Sequence, residues 1–168
     1  MSLAIHPETP ADSAAVEQLI ASAFQNAPHT SHTEHFILNA LRRAGQLSVS
    51  LVAQDDDEIV GHVAISPVSI SSGATGWYGL GPISVSPGRQ GRGIGTQLME
   101  SALADLRRIG AAGCVVLGDP AYYRRFGFIV RPGLVLAGVP AEYFQAISFS
   151  SSWPLGNVDY HEAFNATE

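Results

Sequence analysis

The spacing of apolar positions changes twice along the chain, and each change marks a new kind of element. Leu3-Ala4-Ile5-His6 predicts a short strand. Thr9-Pro10-Ala11-Asp12 is helix-start chemistry, with Thr9 as N-cap, proline in the first turn and Asp12 closing a capping box. Val16, Leu19, Ile20, Ala23 and Phe24 follow at helical spacing, and Asn26-Ala27-Pro28 stops the run. A second helix is predicted over 33–44, with Phe36, Ile37, Ala40 and Leu41 inward and Gly45 at its end. The period then shortens. Residues 47–54 and 59–70 read as a hairpin around Asp55-Asp56-Asp57, and 77–85 as a third strand after the turn residues 71–76. A long helix is expected from Gly93 to about Ile109, with Ile94, Leu98, Ala102, Leu106 and Ile109 on one side. Cys114-Val115-Val116-Leu117, flanked by glycines, suits a strand covered on both faces. A short helix around 121–125 and a strand over 128–130 follow. The order β-α-α-β-β-β-α-β-α-β predicts an α/β fold with a mixed sheet.

The chain has 168 residues, 46% hydrophobic and 14% charged. That length suits one domain over 1–168, with a core over 1–130 and a C-terminal extension, 131–168, whose serine-rich stretch and Trp153-Pro154 break predict no clear element. The charge fraction is well below the average of about 25%, so a sizeable core is expected, with leftover apolar surface suited to a homodimer. No apolar stretch reaches the length of a membrane span, and the first residues carry neither a basic nor an apolar leader segment. With one cysteine, Cys114, the chain can form no internal disulfide and carries no CxxC motif, so a cytosolic location is expected.

All nine basic residues are arginine. Without lysine there can be no Walker A phosphate loop and no Schiff base to pyridoxal phosphate. The net charge of −6 is unevenly spread: residues 89–131 hold seven arginines against three acids, and both flanks are acidic. An acidic chain repels a nucleic-acid backbone, which argues against DNA or RNA as partner. A local basic segment suits a small polyanion.

That segment contains Ile83-Ser84-Val85-Ser86-Pro87-Gly88-Arg89-Gln90-Gly91-Arg92-Gly93-Ile94-Gly95-Thr96. A strand ends, glycines recur at alternate positions, and a helix opens. Glycines let backbone N–H groups approach phosphate oxygens, and the helix start adds unpaired donors and a positive dipole end. The GxGxxG dinucleotide fingerprint is not met, because Thr96 stands three residues after Gly93 and Leu98 three after Gly95.

Gln90-Gly91-Arg92-Gly93-Ile94-Gly95 resembles the Q/R-x-x-G-x-G/A signature of the GNAT superfamily of acetyl-CoA-dependent N-acetyltransferases. Tyr122-Tyr123-Arg124-Arg125-Phe126-Gly127-Phe128 resembles its second marker, an aromatic-tyrosine pair before Gly-Phe. Order and interval agree over 79–128, and more loosely over 1–78. The ending Val158-Asp159-Tyr160-His161-Glu162-Ala163-Phe164 resembles a small bacterial branch. The resemblance implies a central antiparallel meander whose fourth and fifth strands splay apart, flanked by helices. The pantetheine arm of acetyl-CoA would lie in the splay, paired with the main chain of Ile83, Ser84 and Val85. The pyrophosphate would lie on Gly91, Arg92, Gly93, Ile94, Gly95 and Thr96, with Gln90 opening the loop and Arg89 or Arg92 meeting charge at the nucleotide end. A primary amine, on a small molecule or a peptide, would attack the thioester directly. A strand N–H of Ile83 or Val85 would hold the oxyanion, and Tyr123 would be the general acid.

The family's usual base is missing from the pattern. Residues 77–85 and 113–118 hold no carboxylate, and no asparagine lies between Asn39 and Asn157. Asp119 reads first as an N-cap and His62 as a packed or solvated histidine, so no base is assigned. A CoA-binding sensor with degraded catalysis, or a transferase of another acyl-CoA, stays open. His29, His32 and His35 do not form HExxH, and their spacing suits a polar or solvated edge better than a metal site. Cys114 reads as a buried inert thiol, and without G-x-S-x-G a serine hydrolase is unsupported. The acidic flanks suit a cationic acceptor such as a polyamine, an aminoglycoside or a lysine side chain.

Overall fold

The computed structural model describes residues 2–25 and 32–168. Strand β1 (Leu3–Pro7) leads through a 3-10 turn over Pro10–Asp12 into helix α1 (Ser13–Phe24). The capping box forms at that turn: the Asp12 carboxylate accepts from Thr9 N at 2.9 Å and from Thr9 Oγ1 at 3.0 Å. The Asn26-Ala27-Pro28 stop and His29 lie outside the described residues. Helix α2 (Glu34–Arg43) ends where Gly45 turns left-handed, φ 69°. The meander is β2 (Val49–Asp55), β3 (Glu58–Ile70) and β4 (Trp77–Val85). Helix α3 (Ile94–Arg108), β5 (Gly113–Leu117) and the short helix α4 (Pro120–Tyr123) follow.

The C-terminal part is more regular than its sequence pattern. It contains β6 (Leu134–Val135), β7 (Phe144–Ser148) and β8 (Gly156–Tyr160). The predicted strand over 128–130 is reduced to one bridge, Ile129 to Ala146. Strand β7 takes the edge of β5 along its whole length. The Phe128 segment is left to touch β7 once before Pro132, which has no N–H to give a ladder, and Gly133 turn it away.

The sheet order is β1-β2-β3-β4-β5-β7, with β8 joined to the far end of β3 and β6 joined to β8. Contacts are antiparallel except for β4–β5 and β6–β8, so the sheet is mixed and mostly antiparallel. On one face α3 buries Ile94, Leu98, Met99, Ala102 and Leu106 against β2, β3 and β4. On the other, α1 and α2 bury Val16, Ile20 and Leu38 over Val52 and Ala64. Each fully buried aliphatic side chain contributes about 1.5–3 kcal/mol, so these two layers dominate the stability of the fold. A third cluster, with Trp77, Val115, Phe144 and Val158, joins the C-terminal strands to the sheet. No described helix is long and apolar enough to cross a membrane.

Under α2 lies a partly buried polar link. Arg42 grips the Glu8 carboxylate at 2.6 and 2.9 Å and reaches Asn39 at 2.8 Å. His62 is fully buried beside them and shares a 2.8 Å hydrogen bond with Ser50 Oγ. Glu8 comes within 3.8 Å of the ring, but its charge is committed to Arg42. Burial, helped by the Arg42 charge, lowers the His62 pKa to about 3. An unfolded chain therefore takes up this proton near pH 6.5, while the native chain refuses it down to about pH 3. Stability must fall as pH drops through that window, by about 1.4 kcal/mol per pH unit from this group. Urea denaturation between pH 6.5 and 4 is expected to show that slope, made shallower by the same amount in His62→Gln. Equal slopes in the two proteins would refute the assignment.

Candidate active site

Strands β4 and β5 pair from Trp77 opposite Gly113 to Leu80 opposite Val116, and no further. Beyond Leu80 come Gly81, Pro82 and a bulge against β3, after which β4 continues to Val85 with β3 alone beside it. Ser86 N donates to Val60 O at 2.8 Å, which fixes the phase of the ladder. Hydrogen-bonded and non-hydrogen-bonded pairs alternate in an antiparallel ladder, so Ser84 exchanges its main-chain bonds with His62. The N–H and C=O groups of Ile83 and Val85 point the other way, into the gap. Of the three residues expected to pair with an extended ligand, Ser84 thus has its main chain committed to β3.

Two hollows lie along this stretch of β4. The first, about 360 Å³, is bordered by Val85, Gln90, Gly91, Thr96, Tyr122 and Arg125, with Gly93, Ile94 and Gly95 in its floor. Gly91 and Gly93 are left-handed, φ 79° and 82°, and a side chain added at either would meet no protein atom. Gly95 is needed for a different reason, since a Cβ there would stand 2.9 Å from Tyr122 Oη. The start of α3 therefore offers main-chain donors with no side chain in front of them, at the positive end of a 15-residue helix. Gln90 Nε2 donates to Val85 O at 3.3 Å and ties the loop to the strand end. Ile94 buries its side chain in the core, leaving its main chain at the hollow.

The arginines sort differently from expectation. Arg89 borders the hollow, but its guanidinium is held by Asp55 and, at 2.9 Å, by Glu58 at the β2–β3 turn. The Asp55 carboxyl lies below its usual range chiefly because of that hydrogen bond. Arg92 is exposed and does not border the hollow. Arg125, not singled out in the sequence, does: it donates to Thr96 Oγ1 at 3.1 Å and lies 5.3 Å over the Tyr122 ring. Its sequence signals are membership of the basic 89–131 segment and a place inside the Tyr122–Phe128 motif.

The second hollow, about 300 Å³, sits where β4 and β5 part. Leu80, Ile83 and Leu117 come from the strands, Phe24 and Ile37 from the helices, and Tyr123 from α4. Tyr160 and Phe164, from the tail that resembled a bacterial branch, close one side with ring centroids 4.9 Å apart. Glu34, the first residue of α2, also lines it. Glu34 arrives from a helix remote in sequence rather than from the fourth or fifth strand, where the family resemblance places a carboxylate, so no local pattern marks it.

Tyr122 and Tyr123 stand edge to face, centroids 5.0 Å apart, with Tyr122 on the first hollow and Tyr123 on the second. The Tyr123 ring packs where a Cβ on Gly118 would lie at 2.7 Å. Burial, reinforced by Tyr122 and Asp119, pushes the Tyr123 phenol up to about 12, so it keeps its proton throughout the neutral range. Asp119 is the N-cap of α4, accepting from Ala121 N at 2.9 Å. His62 lies under the helices and does not line either hollow. Cys114 is fully buried, which raises its thiol pKa far above the usual value and leaves it inert. His32 and His35 border a third, shallow hollow beside Phe24 and Glu34.

Known proteins resemble this chain in sequence and fold. Residues 13–128 match the acetyltransferase (GNAT) family. The uncharacterized N-acetyltransferase YhbS of Escherichia coli K12 is 33% identical, over 96% of this chain and 98% of its own length. Its crystal structure in complex with CoA superposes with a TM-score of 0.90 at 32% identity, covering 100% of this chain and 94% of that one. A GNAT family acetyltransferase from Brucella melitensis, solved with acetyl-CoA, gives 0.87 at 46% identity, covering 96% and 97%. A family match over most of the chain, together with relatives that align along nearly its full length, agrees with the parted strands and the glycine-lined helix start: this chain belongs to the GNAT family of N-acetyltransferases.

Proposed function

We propose that this enzyme moves an acetyl group from acetyl-CoA to a primary amine by direct attack on the thioester. The observation that carries the reading is the parting of β4 from β5 directly beside the open helix start of α3. An extended pantetheine arm can add to the free edge of β4 as a strand would, through the main chain of Ile83 and Val85. The glycine-lined donors from Gly91 to Thr96, with Arg125, suit the pyrophosphate, and Gln90 holds the loop in place. Acetyl-CoA supplies the acetyl group in activated, thioester form. One of the two strand N–H groups donates to the oxygen on which negative charge develops, at no cost in reorganisation. As the C–N bond forms and the C–S bond breaks, Tyr123 gives its phenolic proton to the departing sulfur and regains one from the proton the amine releases. The relatives solved with CoA and acetyl-CoA support the choice of co-substrate.

Calorimetric titration with acetyl-CoA tests the cofactor site. The wild type is expected to bind, and Gly93→Glu to lose binding at least about a hundredfold, because the new carboxylate projects among the phosphate donors and repels the ligand. The left-handed backbone makes the substitution cost only about 1–2 kcal/mol of stability, so the variant remains folded. A folded wild type that does not bind acetyl-CoA would sink the proposal.

Tyr123→Phe is expected to lower kcat about a hundredfold or more while leaving the Kd of acetyl-CoA within about twofold, the signature of a lost general acid. Retention of full turnover would remove Tyr123 from the mechanism, and binding without turnover in the wild type would identify a CoA sensor instead.

The raised phenol also sets the alkaline limb of the rate. With an acid that titrates near 12, kcat should not fall between pH 8 and 10. A half-maximal rate at pH 10, the value of an unperturbed phenol, would contradict the assignment.

A further inference from the structure

On the transferase reading, the second hollow is where the amine must sit, and its lining restricts what the amine can be attached to. Among its described lining residues, Glu34 alone carries a formal charge, and its Oε1 is buried. Apart from the Tyr123 and Tyr160 hydroxyls and the strand main chain, the remaining described lining is aliphatic or aromatic, with Phe24 on one side and the Tyr160–Phe164 pair on another. The volume, about 300 Å³, is roughly ten water molecules' share of the liquid and lies at the small end of ligand pockets. We infer that the acceptor is a small monoamine with one apolar or aromatic body, and that Glu34 is the specificity residue that receives its ammonium group.

The charge balance of the chamber supports this choice over the polycations that the acidic surface suggested. One ammonium finds one carboxylate, and the aromatic faces add cation–π attraction. A second ammonium, or the hydroxyls of a sugar, would enter a wall with few polar partners and lose hydration without replacement. An apolar body gains what those groups lose, because it leaves water for carbon surface. Glu34 stands at the first turn of α2, a position where the helix dipole favours a carboxylate.

Titrations into the CoA-loaded enzyme separate this inference from the transfer chemistry. 2-Phenylethylamine is expected to bind at least about tenfold more tightly than spermidine. In acetylation assays the same preference should appear in kcat/KM. Glu34→Gln should raise the Kd and KM for 2-phenylethylamine about tenfold, the loss expected of one charge-assisted hydrogen bond, while the Kd of acetyl-CoA stays unchanged. Glu34→Asp should recover part of the loss, which a merely structural role would not allow. Phe164→Ala, at the aromatic wall, should weaken 2-phenylethylamine more than ethylamine. Tighter or equal binding of spermidine, binding of neither amine, or a Glu34→Gln enzyme with wild-type KM would overturn the inference. If acetyl-CoA itself fails to bind, the transferase reading falls first and this one with it.

Discussion

The free edge of β4 is the constraint around which the rest is arranged. A strand inside a sheet satisfies its main chain on both sides, and an edge inside a protein must be justified. Here β4 and β5 are locked together from Trp77 to Leu80, then diverge within one turn of chain. Pro82 has no N–H to offer β5, and the bulge against β3 redirects the strand as it passes. On the other side β5 stops at Leu117, and Gly118 allows the chain to bring Tyr123 against its end. The gap is thus held from both strands by covalent and steric features of the backbone.

The two tyrosines turn that gap into two compartments with different chemistry. Tyr122 faces a hollow of main-chain donors and arginine, where charge can be met by hydrogen bonds. Tyr123 faces a mostly carbon-lined hollow, where burial keeps its proton in place. The two are adjacent in sequence and packed edge to face, so one short helical segment supplies a wall to each hollow.

The legible part of the site was local. Gln90–Thr96 and Tyr122–Phe128 each carry their geometry in a few consecutive residues, since left-handed glycines and an N-cap are set by short-range sterics. The strands of the meander and the three long helices announced themselves through periodicity and capping in the same way. What stayed hidden was assembled across long sequence separations. Arg125 meets Thr96 from 29 residues away. Glu34 and Tyr160 share a hollow although one opens α2 and the other ends β8. The short segments 134–135, 144–148 and 156–160 hold too few residues to show a period, and they become strands only because β5, β3 and each other supply a ladder. Arg89 illustrates the converse: its glycine neighbourhood suggested a phosphate ligand, whereas the acids of the β2–β3 turn claim it.

The tail also shows why a family core alone does not specify a substrate. The family match ends at residue 128, yet Tyr160 and Phe164 line the second hollow, and α2 reaches it from the other direction. Helix α2 is tied to the exit of β1 by the Arg42–Glu8 pair and packs its Ile37 and Leu41 against the last 3-10 turn around Ala163. The tail therefore bears on both the aromatic wall and the helix that presents Glu34, and it reaches β4 where Tyr160 packs over Gly79. The first hollow draws on residues 85–96 and on Tyr122 and Arg125, whereas the second adds the first two helices and the C-terminal tail to the strand ends and Tyr123. Under such a division, relatives can keep the transfer chemistry while their acceptor pockets diverge.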